Sequence, residues 1–416
     1  MKKWLLLLLV GSLMGCQPVL QVFAQPEPVL LPVVLTATAF PMREDGMLFS
    51  PTVTPVGDTT FLRLVTAIEP LLPGVVTNVF VGNDDVLWLA SDRGVGRIFA
   101  NERRAYLARF WDFVVGPDGE GRIWVIDSQR GQILAWDGLN WVDYDAGQGW
   151  YWFAVDEGQD PAQPGMYQDE AGGYWLVTAQ DVRRFDGRRW RVYSQEEMGL
   201  TLVERAAIQV LISMAVSPTG DAVWVGTCHY LADEPVGGGG LRWFDGLRWQ
   251  SGDLPALGCV QGMGFDALGR LWVGVDGTLW LRSMGSWQSG TAPMLEGELR
   301  HAFVRELAMD AHGGVWPLFG LCGKSGCDVM SQRYHWLDGK WQMVNGLEAL
   351  EHGQVLFDRQ GNTWLFGSQA IARLVEDEWR EVARLRIYSV WQDAEGQIWL
   401  AARFNETDAI WRLESD

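Results

Sequence analysis

The residue types that could do chemistry are present, but they converge in no short motif. Five histidines stand at 229, 301, 312, 335 and 352, with no His-x-His or His-Glu-x-x-His arrangement among them. A metal ion needs three or four ligands on one small patch, and tight ligand spacing is how a sequence shows that patch. No metal site and no cofactor are therefore expected. Gly323-Lys324-Ser325 has the ending of a phosphate-binding loop, yet Leu318 stands where such a loop needs its first glycine. Gly237 to Gly240 reads as a flexible connection between strands. Many aspartates fall in Asp-x-x-Gly runs that recur along the chain, and such side chains brace turns by bonding backbone donors. No nucleophile and base are paired by spacing, so no catalytic residue is assigned. One stretch stands apart: Trp150-Tyr151-Trp152-Phe153 suits either core packing or an aromatic platform for a sugar or peptide.

Charge narrows the partners. The 33 lysines and arginines face 52 aspartates and glutamates, a net charge of −19, which repels a phosphate backbone. The densest basic stretch, Arg183 to Arg191, is interrupted by aromatic and acidic residues, so no nucleic-acid role is expected. Two counts set the fold class. With 49 glycines and 24 tryptophans in 416 residues, the chain has many turns and a recurring large ring, the mark of a repeated all-β unit.

The repeat begins near residue 79. A short apolar strand, an Asp- and Gly-rich turn and a strand built around Trp return at Trp88, Trp124, Trp175, Trp224, Trp272, Trp316, Trp364 and Trp399. A second turn follows in many copies, at Asp137-Gly138, Asp186-Gly187, Asp245-Gly246 and Asp338-Gly339, each with a Trp shortly after it. Asp-Gly between apolar strands suits a tight hairpin, because Gly tolerates positive φ. Each unit is thus four antiparallel strands, A to D. One such sheet cannot bury both its faces alone, whereas copies arranged radially can, so the expectation is a β-propeller. Eight Trp strands at about 45 residues per unit predict eight blades; seven is the alternative if the first or last copy is degenerate.

Asp221-Ala-Val-Trp224-Val-Gly-Thr227, Gly240-Leu-Arg242 and Phe244-Asp245-Gly246 together resemble the two-component-regulator propeller repeat. The resemblance spans residues 60–416 and implies a sensory or binding module. Propellers with similar Trp repeats also include streptogramin lyases and glycoside-processing proteins. An enzyme of lyase or glycosidase type is therefore the alternative reading.

The front of the chain reads as an address. Residues 1–15 combine Lys2 and Lys3 with an apolar run from Trp4 to Val10 that is too short to span a bilayer. Leu13-Met14-Gly15-Cys16 resembles the bacterial lipobox, which implies lipidation of Cys16 and a membrane-anchored, extracytoplasmic protein. Cleavage after Ala24, giving a secreted protein, is the alternative. Residues 16–59 form a proline-rich linker, and residues 60–416 the propeller.

Four expectations follow for the propeller. Phe61–Val65 should pair with the C-terminal strand and close the ring. Both ends of residues 60–416 should lie on the face of the short A–B and C–D turns. With Cys16 lipidated, four cysteines remain, and bridges Cys228–Cys259 and Cys322–Cys327 are expected; a metal site shared with His229 is the alternative. The long B–C and D–A loops should carry the ligand site, with Trp150, Trp152, His229, Tyr230, Glu234, His301 and Arg333 as candidates for contact with a peptide, glycan or protein.

Overall fold

The repeated Trp fixes how the sheets stack. In the computed structural model every described Trp of this series lies on a strand B, and its ring points toward the next sheet along the chain. Trp124 meets Phe185 at 5.1 Å and Trp190 at 5.5 Å, and Trp175 meets Phe244 at 5.4 Å and Trp249 at 6.3 Å. The partners are the aromatic residue before each Asp-Gly turn and the Trp after it. The two signatures of the repeat are therefore two sides of one inter-sheet contact.

The structure describes residues 32–33 and most of 60–415. Outside it lie the rest of 1–59, the segments 68–75, 145–165, 201–207 and 292–301, and several shorter turns. Among the described residues there is no α-helix and there are eight sheets, each with a four-stranded antiparallel core. Blades 1 to 7 span residues 76–107, 113–143, 166–194, 208–251, 260–291, 302–344 and 354–384. Blade 8 joins Arg386–Gln392, Ile398–Phe404 and Thr407–Ser415 to Thr60–Ala67. Each junction between neighbours has its own apolar cluster, eight in all. The last cluster sets Leu87 and Leu89 of blade 1 against Ala401 and Ile410 of blade 8, so the ring is closed. A seven-bladed count would leave one of these clusters without a junction.

Closure works as expected. Thr60 pairs with Ser415, Phe61 with Glu414 and Leu64 with Trp411, so the N-terminal strand is strand D of the last blade and no sheet edge opens there. Strand C ends and strand D begins on the side of the A–B and C–D turns, here the entry face. The opposite side, with the B–C and D–A connections, is the loop face. One departure concerns the proline-rich segment: Pro32 and Val33 pair with Tyr106 and Ala105 on the outer edge of blade 1, where a proline costs no ladder bond.

The Asp-x-x-Gly turns brace the entry face from inside. Asp266 Oδ1 accepts the backbone N–H groups of Leu268 and Arg270, and Oδ2 accepts the Trp272 indole N–H at 2.9 Å and the Arg270 guanidinium at 2.7 Å. Asp118 with Trp124, Asp169 with Trp175 and Asp358 with Trp364 repeat the bond at 2.8 to 2.9 Å. Blade 6 puts a histidine in place of the arginine. His335 Nε2–H donates to Asp310 Oδ2 at 3.0 Å while its ring stacks on Trp316 at 4.2 Å. The Asp-Gly turns use the same device on a smaller scale. Asp245 Oδ1 accepts the N–H groups of Leu247 and Arg248, and Gly246 takes φ +90° as the first residue of the two-residue turn, one place later than the dipeptide itself suggests.

Asp266→Ala removes the acceptor of four donors at once, and its own side chain is wholly buried. The expected loss is about 3–5 kcal/mol of unfolding free energy in chemical denaturation, the usual cost of breaking a buried ion pair by removing one partner. Asp310 gives a pH signature. Burial pushes its carboxyl up, but the bonds from His335, the Gly314 N–H, Trp316 and the His312 N–H outweigh this and hold it at about 2. Its folded value lies below the ordinary value of about 3.9, so its stabilisation is full above that value and is lost as pH falls toward 2. Asp310→Asn should therefore flatten the stability profile between about pH 4 and pH 2, read from denaturation midpoints across that range.

Candidate functional site

The loop face is where equivalent blades stop being alike. In blade 5, strand B is Leu271–Val275 and ends three residues past its Trp. In blades 4 and 6 it runs as Val223–Leu231 and Val315–Gly323, seven residues past the Trp in each case. At roughly 3.3 Å per residue the two taller strands stand about 13 Å above the middle one. Each pairs antiparallel with an extra strand, Glu234–Gly237 in blade 4 and Gly326–Val329 in blade 6. Blade 5 instead turns at once through Asp276-Gly277, with φ +45° and +75°, a tight hairpin that Asp and Gly both accommodate. One low blade thus lies between two tall ones.

The floor of this saddle is covalently tied to one wall. Cys228, on the tall strand of blade 4, is bridged to Cys259, which precedes strand A of blade 5, with Cα atoms 4.3 Å apart. The Cys259 N–H donates to Asp276 Oδ1 at 3.2 Å. Asp276 leans over Gly258, where an added Cβ would overlap the carboxylate. Burial raises the Asp276 carboxyl above the ordinary range, and the Cys259 N–H opposes that rise. No hydrogen bond to Asp276 Oδ2 is present among the described residues.

A second feature rings the axis. Strand A carries a one-residue bulge at Thr77, Ile212, Gln261, Arg305 and Tyr388. In each blade the bulged residue lies three positions before the residue paired with the repeated Trp. The five bulges therefore sit at one height, toward the loop face, on the strands that line the axis. Bulges re-aim side chains at sheet rims and beside sites. At blade 8 the Tyr388 hydroxyl donates to Asp408 Oδ1 at 2.8 Å, and Arg403 clamps both oxygens of the same carboxylate. The Arg403 bonds hold the Asp408 carboxyl below its ordinary range against the opposing effect of burial. Arg386 stacks over the Tyr388 ring at 5.5 Å.

The residues singled out from the sequence divide between two corners. Cys228, His229, Tyr230 and Glu234 lie on the tall hairpin of blade 4 on the loop face, and Cys228 is bridged to Cys259 of blade 5. His229 is buried at 5% exposure in the wall, opposite Gln209 and Gly237. With both thiols consumed by the bridge, a metal site built on Cys228, Cys259 and His229 loses its sulfur ligands. Cys322 and Cys327 are register partners in the blade 6 hairpin, and Arg333 opens strand C of that blade. Cys16, Trp150, Trp152 and His301 lie outside the described residues. Asp276 was missed because Asp-Gly between two strands reads as turn chemistry. The bulges leave no mark on the hydrophobic pattern.

No protein-family model matches the chain, and no curated protein sequence does. Among solved structures it is similar to virginiamycin B lyase from Staphylococcus aureus, at 11% identity and a TM-score of 0.44, over 85% of this chain and 99% of that one. It is also similar to YCF48 bound to D1 peptide, at 13% identity and a TM-score of 0.43, over 86% of this chain and 97% of that one. The extracellular domain of a hybrid two-component system from B. thetaiotaomicron is similar at 12% identity and a TM-score of 0.37, over 81% of this chain and 51% of that one. At these identities and scores no activity or partner carries over from them.

The bridge closes a span of 31 residues. Replacing Cys228 and Cys259 together with Ser should lower the unfolding free energy by about 3–4 kcal/mol if loop-closure entropy dominates. Chemical denaturation of both forms without reductant measures the difference.

Proposed function

We propose that the chain is an extracytoplasmic binding module, anchored by a lipid on Cys16, which takes a peptide, glycan or protein on its loop face. One observation carries this reading. Both extra hairpins and the bridge lie on the loop face, on three consecutive blades, while residues 60 and 415 meet on the entry face. The linker is docked at Pro32 and Val33 on the outer edge of blade 1, so its free span back to Cys16 is about 50 Å when extended. On the entry face the recurrent aspartates are committed to indole, guanidinium and backbone donors, which makes that face a scaffold. A rigid ring with individually varied connections on one side is the usual arrangement of a recognition surface.

The test is a peptide and glycan array probed with the detergent-solubilised full chain. A second sample has residues 229–239 replaced by Asn-Gly, which trims the blade 4 hairpin. The intact protein should retain at least one ligand class that the trimmed protein loses, with melting temperatures within a few degrees of each other. Trp150→Ala combined with Trp152→Ala tests the aromatic run on the same array. Equal capture by intact and trimmed proteins would remove the loop face of blade 4 from the reading.

A further inference from the structure

The bracing aspartates recur at the base of the entry face, but the tips of its turns differ. Among the described residues five large apolar side chains are exposed: Leu139, Leu247, Leu268, Met284 and Met343. Four of them stand at entry-face turn tips. Leu139, Leu247 and Met284 lie in the C–D turns of blades 2, 4 and 5, and Leu268 in the A–B turn of blade 5. Neither packing nor turn chemistry accounts for them. Leu247 is 90% exposed and Met284 fully so, at positions where Gly, Asn, Asp and Ser serve a turn best. Met284 also takes φ +49°, a region that a bulky side chain enters at a cost.

The tips share one height. In blades 2 to 6 four residues separate the equivalent C–D pairs Trp136–Trp141, Phe185–Trp190, Phe244–Trp249, Arg282–Trp287 and Trp336–Trp341. In a chain of net charge −19, these five turns hold as many basic residues as acidic ones: Arg188, Arg189, Arg248 and Lys340 against Asp137, Asp186, Asp245 and Asp338. Blade 7 ends the balanced arc, since its turn reads Val375-Glu376-Asp377-Glu378. Arg189 and Arg248 are 87% and 78% exposed, so their apolar stems are free to lie along an interface while their charges stay in water.

We propose that the C–D turn rim of blades 2 to 6, with Leu268 beside it, rests on a lipid bilayer and dips its apolar tips into the headgroup layer. This rests on the anchored reading for the nearness of a bilayer and names the surface that meets it. The span from Pro32 back to Cys16, about 50 Å, exceeds the height of the blade 1 edge at Glu102–Leu107, about 20 Å. The tether therefore lets the lipid reach either face, and the rim decides which one meets the membrane. Tips at one height meet a plane together, and an arc without net charge escapes the repulsion that the rest of the chain has from headgroup phosphates. The loop face is then turned outward.

The probe is phosphatidylcholine vesicles in a flotation assay, with the whole mature chain, residues 16–416, carrying Cys16→Ser so that no lipid is attached. The chain should float with the vesicles. Leu247→Asn, Leu268→Asn and Met284→Asn combined should lower partitioning about tenfold, because binding scales with the apolar area buried. The melting temperature should hold or rise, since Asn accepts the φ of Met284, whereas side chains with a packing role would lower it. Met343→Asn removes an exposed side chain away from the rim and should leave partitioning unchanged. A chain that stays with the buffer, a triple variant that floats as well as the parent, or Met343→Asn matching its loss would each overturn the proposal. So would a dimer that forms without vesicles and disappears in the triple variant, which would make a second copy the occupant of the rim. The mass of the natural chain's N-terminal residue reports the lipid separately: an unmodified Cys16 with flotation intact would overturn the anchor and support the rim.

Discussion

A single contact recurs in five of the eight blades: the hydrogen bond from the indole of a strand-B tryptophan to the aspartate six residues before it. That aspartate caps the A–B turn with one oxygen and holds the indole with the other, at 2.8 to 2.9 Å in four blades and 3.3 Å in blade 6. A buried Trp needs a partner for its N–H, and a buried carboxylate needs donors, so each settles the other's cost. The bond also orients the ring so that its face and edge meet the aromatics of the next blade. One residue pair therefore links a local turn to inter-blade packing.

Variation within that contact shows which part is required. The third partner is Arg122, Arg184 and Arg270 in blades 2, 3 and 5, His335 in blade 6 and Asn362 in blade 7. Some of these residues come from the strand B side of the turn and others from strand C. The carboxylate accepts whichever donor reaches it, and the Asp–Trp pair stays fixed. Several arginines also lie over the same Trp rings, at 5.3 to 5.9 Å in blades 2, 3 and 5.

Because five of the eight blades spend an entry-face aspartate on this contact, the two faces of the ring take on different tasks. The entry face is uniform and receives both ends of the propeller. Among the described residues the loop face has no repeated brace, and there strand B stops at Val275 or continues to Leu231 and Gly323. Lengthening strand B adds backbone pairs above the junction cluster and moves nothing inside it.

The fold was legible in the sequence because its signals are local and repeated. The Asp-x-x-Gly turn, the Trp six residues on and the aromatic-Asp-Gly hairpin each lie within ten residues, and repetition separates them from chance. Pairing of Phe61 with the end of the chain was also within reach, since a last unit lacking strand D can be completed only from elsewhere. The site was much less legible. The sequence marks residues 228–240 and 320–332 as unlike other copies, but it does not give the height of the strands they extend or what stands between them. Asp276 is the clearest case: as sequence it is half of an ordinary Asp-Gly turn, and only the neighbouring blades make it the floor of a saddle. Periodicity determines which residues share a sheet. The depth of a cleft depends on three sheets lying side by side, and that was settled by tertiary packing.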